Sequence, residues 1–216
     1  MQMEHSFHIF NKYAADGISL TTDKLLNDRI LDKNTKMAGA GTSSRAISII
    51  KETEKTPSSR PPVVVCVGSD LAIGDSLGPI TGSMLKYKTQ GLGAFIYGTL
   101  SAPVTAKEIK YMQSFLKRTH AEDQVIAIDA AVGEKGDIGL LRVTDTPLLP
   151  GAGANKKLGA IGDISVLGIV AEKSLTNYGL LNTTRLNLVY TMAEIISDGI
   201  SSLLWERYNK CVIKKA

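Results

Sequence analysis

Val63-Val-Val-Cys-Val67 is an apolar run with no polar alternation, the pattern of a strand covered on both faces by other layers. Gln124-Val-Ile-Ala-Ile-Asp129 repeats it, and Ile164 to Val170 does so again. Shorter apolar segments at Ala94 to Leu100 and Ile138 to Val143 complete a set of five predicted strands. Between them the spacing changes to three and four residues. Pro79 is suited to the first turn of a helix running to about Lys88, because its missing N–H is not needed there. Thr105-Ala-Lys-Glu108 has capping-box spacing and opens a helix through Ile109, Met112, Phe115 and Leu116. Asn182 or Thr183 caps a last helix, along which Leu186, Val189, Ala193, Ile196, Ile200, Leu203 and Leu204 recur on one face. Strand and helix alternate, so the expected class is α/β, a three-layer sandwich around a mostly parallel sheet.

Residues 1–60 carry a weaker pattern. Leu20 to Leu31 and Ser44 to Glu54 are candidate short helices with no evident commitment to a core. Glu54-Lys-Thr-Pro-Ser-Ser-Arg-Pro-Pro62 is linker-like, since its three prolines remove donors and hold the chain extended. The expected organisation is therefore an N-terminal extension over 1–60, partly disordered, and a single α/β domain over 61–216.

Composition narrows the function classes. Of 216 residues, 44% are hydrophobic and 21% charged, the balance of a globular domain. The net charge of +4 is spread along the chain with no basic run longer than two residues, so no nucleic-acid partner is expected. No stretch approaches a membrane span and no apolar leader is evident, so no membrane partner is expected and a cytoplasmic location is. Two cysteines, Cys66 inside the first strand and Cys211 near the end, are too few for a disulfide framework. A homo-oligomer is compatible with the sequence.

The candidate chemistry is acidic. In parallel α/β sheets, catalytic groups collect at the carboxyl ends of strands. Asp75, in Gly74-Asp-Ser-Leu-Gly-Pro79, follows one such end by a short loop, and Asp129 stands at another. If the two strands are neighbours the carboxyls can share a proton, one deprotonating water while the other polarises a carbonyl. Each also has a structural explanation: Asp75 as a cap of the following helix, Asp129 as a cap of a turn through Gly133. Asp70 fits a solvated turn, and the loop lacks the spacing of the nucleotide-binding glycine motifs. Ser76 and Ser101 have no evident histidine base. His5, His8 and His120 form no cluster with metal spacing, so neither metal nor cofactor is expected. Leu149-Pro-Gly-Ala-Gly-Ala-Asn-Lys-Lys157 is either a flexible connector or a loop beside the site, with Gly151, Gly153, Asn155 and Lys156 available to bind substrate.

Several segments together carry a family resemblance. The run Val64 to Pro79, Ile126-Ala-Ile-Asp-Ala130, Gly98-Thr-Leu-Ser-Ala-Pro-Val104, the 149–157 loop and Asn182-Thr-Thr-Arg-Leu186 resemble the sporulation protein YyaC family and its relative, the spore germination protease, in order and spacing across residues 62 to about 205. The resemblance implies a three-layer α/β fold shared with the more distantly related hydrogenase maturation endopeptidases. It implies that Asp75 and Asp129 match the proposed catalytic pair of an unusual aspartic-type peptidase acting on small acid-soluble spore proteins. It also implies a location in the forespore or mother cell; residues 1–60 lie outside the matching segments and are either disordered, the preferred reading, or a removable pro-segment like that of the germination protease. In the hydrogenase maturation relatives the matching acids join a histidine to hold nickel in the substrate; no histidine here matches that set. The chain is shorter than the germination protease, and the YyaC proteins are not established peptidases. Two expectations follow: a sporulation-associated, peptidase-like protein with a peptide or small spore-protein substrate, or a non-catalytic peptide-binding or regulatory module on the same fold.

Overall fold

The structure, a computed structural model, describes residues 3–38, 61–151, 158–173 and 184–213, without the side chains of 32–38. Six strands form one mixed sheet: β1 (Glu4–His8), β2 (Val63–Cys66), β3 (Ile96–Tyr97), β4 (Val125–Gly133), β5 (Leu140–Thr144) and β6 (Ile164–Glu172). Their order is β1-β5-β6-β4-β2-β3. The pairs among β6, β4, β2 and β3 are parallel, and those of β5 with β6 and with β1 are antiparallel.

Among the described residues four helices cover the sheet: α1 (Ala14–Ala38), α2 (Leu77–Lys88), α3 (Ile109–Thr119) and α4 (Leu186–Ile213). Alternation along the strands divides the core in two. Val64, Cys66, Ile126, Ile128, Val143 and Val166 face α1, α2 and α4. Val63, Val65, Val67, Val125 and Ala127 face α3 through Ile109, Met112 and Leu116. This is the expected three-layer α/β arrangement, with helices on both faces. Half of the capping box forms where the spacing predicts it: the Thr105 N–H and hydroxyl both donate to the Glu108 carboxylate just before α3, while Thr105 Oγ1 accepts from the Lys107 N–H at 3.3 Å in place of the Glu108 N–H. The β3 strand is shorter than the predicted 94–100, because Gly98 turns at φ 85° and Thr99 and Ala102 then exchange two backbone hydrogen bonds of 3.1 Å.

The N-terminal region departs most from expectation. Residues 4–38 do not stand outside the α/β domain: β1 is an edge strand paired to β5, and α1 buries Ala14, Ile18, Leu25 and Leu26 in the main core. The face was obscured because small polar residues, Ser19 and Thr22, complete its buried stripe, whereas Leu20 at 68% exposure points outward. Polar clips fasten α1 as well. Arg207 of α4 donates to the Asp23 carboxylate at 2.7 Å and to the Asn27 amide oxygen at 2.8 Å, and Arg29 bonds Asp163 at 3.2 Å. The candidate helix at 44–54 and most of the linker at 54–62 lie outside the described residues. Leu26→Ala is expected to lower the unfolding free energy by about 2–5 kcal/mol, as full truncations of buried leucines do, against a change within about 0.5 kcal/mol for Leu20→Ala. Urea denaturation of the two variants checks whether α1 belongs to the cooperative unit.

Candidate functional site

The parallel strands β2 and β4 are neighbours, so the segments carrying the two aspartates meet. β2 pairs with β4 only as far as Cys66 opposite Ile128, with one further bond from Val67 N–H to the Ile128 carbonyl. Asp129 is the next residue. It sits inside β4, still paired on its other side to Leu167 of β6, and not at the strand's end as the hydrophobic run suggested. β4 continues to Gly133, so Asp129 does not cap a turn. By alternation from Val125 and Ala127 its side chain points to the α3 face of the sheet.

Past the end of β2 the chain leaves through Gly68 and returns in a 3-10 turn, Ile73–Ser76, which leads into α2. Gly68 has φ 140°, and a Cβ there would stand 2.1 Å from the Asp75 carbonyl oxygen. The loop therefore folds back on itself: Ser69 N–H donates to that carbonyl at 3.0 Å, and Asp75 N–H donates to Ala72. Neither this turn nor α2 has a side-chain cap bond, so Asp75 is not placed as a helix cap. Ser76, buried, donates its hydroxyl to Ile73, and Ser101 bonds Thr99; both are engaged within their loops.

The electrostatics follow from this burial. Asp129 is 8% exposed, and its carboxyl is held well above the ordinary carboxylate range, first by desolvation and second by the negative charge of Asp75. The hydrogen bond it accepts from Ala130 N–H at 2.8 Å opposes the shift. Asp75 is half-buried, and desolvation raises it too, against a hydrogen bond from the Ser69 N–H. Two carboxyls whose charges act on each other resist double ionisation. The deeper one keeps the proton. Asp70, by contrast, is exposed in the loop.

The structure brings together Asp75 and Asp129 and leaves the substrate-loop expectation partly open to view. Gly151 is described, at φ 72°, while Gly153, Asn155 and Lys156 lie outside the described residues. The base of their loop is fastened to the α3 layer: Leu148 and Ile161 exchange two bonds of 2.9 Å, Leu158 packs on the α3-side core, and Gln113 of α3 donates to the Ala160 carbonyl at 2.9 Å. That is the face toward which Asp129 points.

Sequence reasoning missed two features. The 98–104 turn is stitched to the Asp75 loop, since Gly68 N–H donates to the Val104 carbonyl and Val67 pairs with Val104. The family-like Gly98-Thr-Leu-Ser-Ala-Pro-Val104 spacing was its only signal. His120 is buried among Phe95, Tyr97 and Phe115, its Nε2 bonded to the Tyr97 hydroxyl at 2.8 Å and its Nδ1 to Asp123 at 2.9 Å. Nothing in its position after Lys117-Arg118 suggested burial. His5 and His8 lie on edge strand β1, and among the described residues no group of three or more His, Cys, Asp or Glu side chains could hold a metal ion. No helix among the described residues is long and apolar enough to cross a membrane.

Fold and site together define an α/β protein with a coupled carboxyl pair beyond the carboxyl end of a central parallel strand. The chain belongs to the family described as Protein of unknown function (DUF1256), whose model matches residues 35–199. It is 39% identical over 163 residues to the uncharacterized protein YyaC of Bacillus subtilis (strain 168), covering 75% of this chain and 78% of that protein. Among solved structures it is similar to the NiFe hydrogenase maturation protease HycI from Thermococcus kodakarensis KOD1, with 18% identity and a TM-score of 0.44, covering 68% of this chain and 95% of that one.

Proposed function

We propose that the protein is an aspartic-type, peptidase-like hydrolase in which Asp75 and Asp129 activate water against a peptide carbonyl. The observation that carries this reading is the buried Asp129 carboxyl with the charge of Asp75 acting on it. In the reaction, the Asp75 carboxylate takes a proton from water as the water oxygen bonds to the carbonyl carbon. The Asp129 carboxyl donates its proton to the carbonyl oxygen, giving a tetrahedral diol. Collapse of the diol breaks the C–N bond. One proton goes to the leaving nitrogen and one returns to Asp129. Asp129 suits the acid role because it is the more buried, and Asp75 the base role because it is the more accessible.

The resemblance to the germination protease supports a peptide or small spore-protein substrate and a role in a sporulating cell. A part for Gly151, Gly153, Asn155 and Lys156 in binding that substrate belongs to the same proposal. The test is mass spectrometry of small acid-soluble spore proteins incubated with the full chain, beside Asp75→Asn and Asp129→Asn. Discrete fragments are expected from the wild type and none from the variants. Intact substrates throughout, with binding retained, would instead establish a peptide-binding module for those proteins.

A further inference from the structure

Large aliphatic side chains stand in water on the loop that carries Asp75 and on the turn bonded to it. Leu71 is 91% exposed and Ile73 38%, both in the loop that carries Asp75; Leu100, in the adjoining 98–104 turn, is 46% exposed. That turn has little freedom. Leu100 N–H donates to Ser83 Oγ at 2.9 Å, the Ser83 hydroxyl donates to Pro79, and a Cβ on Gly98 would lie 1.8 Å from the Cys66 carbonyl oxygen. Single exposed leucines are ordinary on protein surfaces. Three on two segments bonded to each other, one of them the loop that carries Asp75, are less so. Pre-ordered aliphatic side chains bind an apolar group without the entropy cost of ordering a loop first.

We propose that Leu71, Ile73 and Leu100 are specificity-determining residues that select an apolar side chain next to the cleaved bond of a peptide substrate. The inference rests on the hydrolytic reading of Asp75 and Asp129. A side chain moved from water onto this surface gains its transfer free energy in the bound state and in the transition state alike. The selection is therefore expected mainly in KM, at about 10- to 100-fold between a large aliphatic and a carboxylate side chain.

The experiment uses the full chain and a peptide library made by digesting a whole bacterial proteome with trypsin, the new termini being identified by mass spectrometry. The wild type is expected to cut preferentially at bonds flanked by Leu, Ile, Val, Phe or Met. A Leu71→Arg, Leu100→Arg double variant, both positions being solvent-exposed, is expected to fold with an unchanged melting temperature. It should lose that preference and gain cleavage at bonds flanked by Asp or Glu. Cleavage that depends on Asp129 but shows no apolar enrichment, or enrichment unchanged in the double variant, overturns the proposal and leaves the hydrolytic reading in place. No cleavage of the library by the wild type removes both.

Discussion

Asp129→Asn is expected to make the protein more stable at neutral pH and, at the same time, inactive. Asp129 is an acid whose proton is held more tightly in the folded chain than in the unfolded one, because burial and the Asp75 charge both penalise its ionised form. Below about pH 4, where an ordinary aspartate is protonated, both states carry the proton and the residue contributes no pH dependence. As pH rises past that value the unfolded chain releases the proton while the folded chain keeps it, so stability falls until the folded carboxyl itself ionises. Asparagine cannot ionise, and its side-chain oxygen can still accept the Ala130 N–H. The melting temperatures of wild type and variant should thus coincide near pH 3.5 and separate as pH rises, the variant being higher by at least a few degrees at pH 7. Each kcal/mol corresponds to about 2–4 °C in a domain of this size. Hydrolysis, where it is measured, should drop by about 10²- to 10⁴-fold, the ordinary contribution of one positioned acid or base. A variant no more stable than wild type at pH 7 would mean that Asp129 is not held neutral by its surroundings. Asp75→Asn should show the same stability trend in part, since it removes one of the two causes acting on Asp129.

Legibility from the sequence tracked how each element gains its stability. β2, β4 and β6 are covered on both faces, and their continuous apolar runs disclosed them within a residue or two at the starts. The β4 end was misjudged because the charged Asp129 interrupts the apolar run and Ala130 to Gly133 are only half-buried, although they continue the ladder to β6. The α1 helix was underestimated for a related reason: its buried stripe includes Ser19 and Thr22, and two of the leucines that marked it, Leu20 and Leu31, are exposed. β1 is a polar edge strand whose partner, β5, lies more than 130 residues away in the chain, and no local pattern could specify that pairing. The acid pair was legible because carboxylates directly after apolar runs are seldom explained by packing. What the sequence lacked was the strand order that makes β2 and β4 neighbours, and the point where β2 stops and leaves Asp129 facing the Asp75 loop. His120 shows the same limit: its two polar partners and three ring neighbours come from β3 and the residue before it, α3 and the following turn, and meet only in the folded chain.

Gly78→Ala is expected to be among the most damaging single substitutions in the chain, and to disorganise the site along with the fold. A Cβ on Gly78 would lie 1.9 Å from the Val67 carbonyl oxygen and 2.9 Å from the Val67 nitrogen. These are backbone atoms of the strand-end segment, pinned by bonds to Ile128 and by pairing with Val104, and they have no rotamer by which to move aside. Gly82, one turn later, makes the same approach, 2.1 Å from the Gly98 carbonyl oxygen. The two glycines let α2 rest directly on the ends of β2 and β3. Pushing the helix outward would open the contacts of Leu77 and Leu85, both fully buried, and would carry with it the Ile73–Ser76 turn joined to its first residue. The gain in helix propensity from Gly to Ala is only about 1 kcal/mol. The expected net loss exceeds about 4 kcal/mol, in the rare range that follows from overpacking against an element that cannot yield. Gly136→Ala is the control, because a Cβ there meets nothing within 4 Å and its φ is not positive; it should change stability by less than about 0.5 kcal/mol. If Gly78→Ala instead unfolds in urea at the wild-type midpoint and keeps the pH dependence attributed to Asp129, then close seating of α2 on β2 is not what positions Asp75.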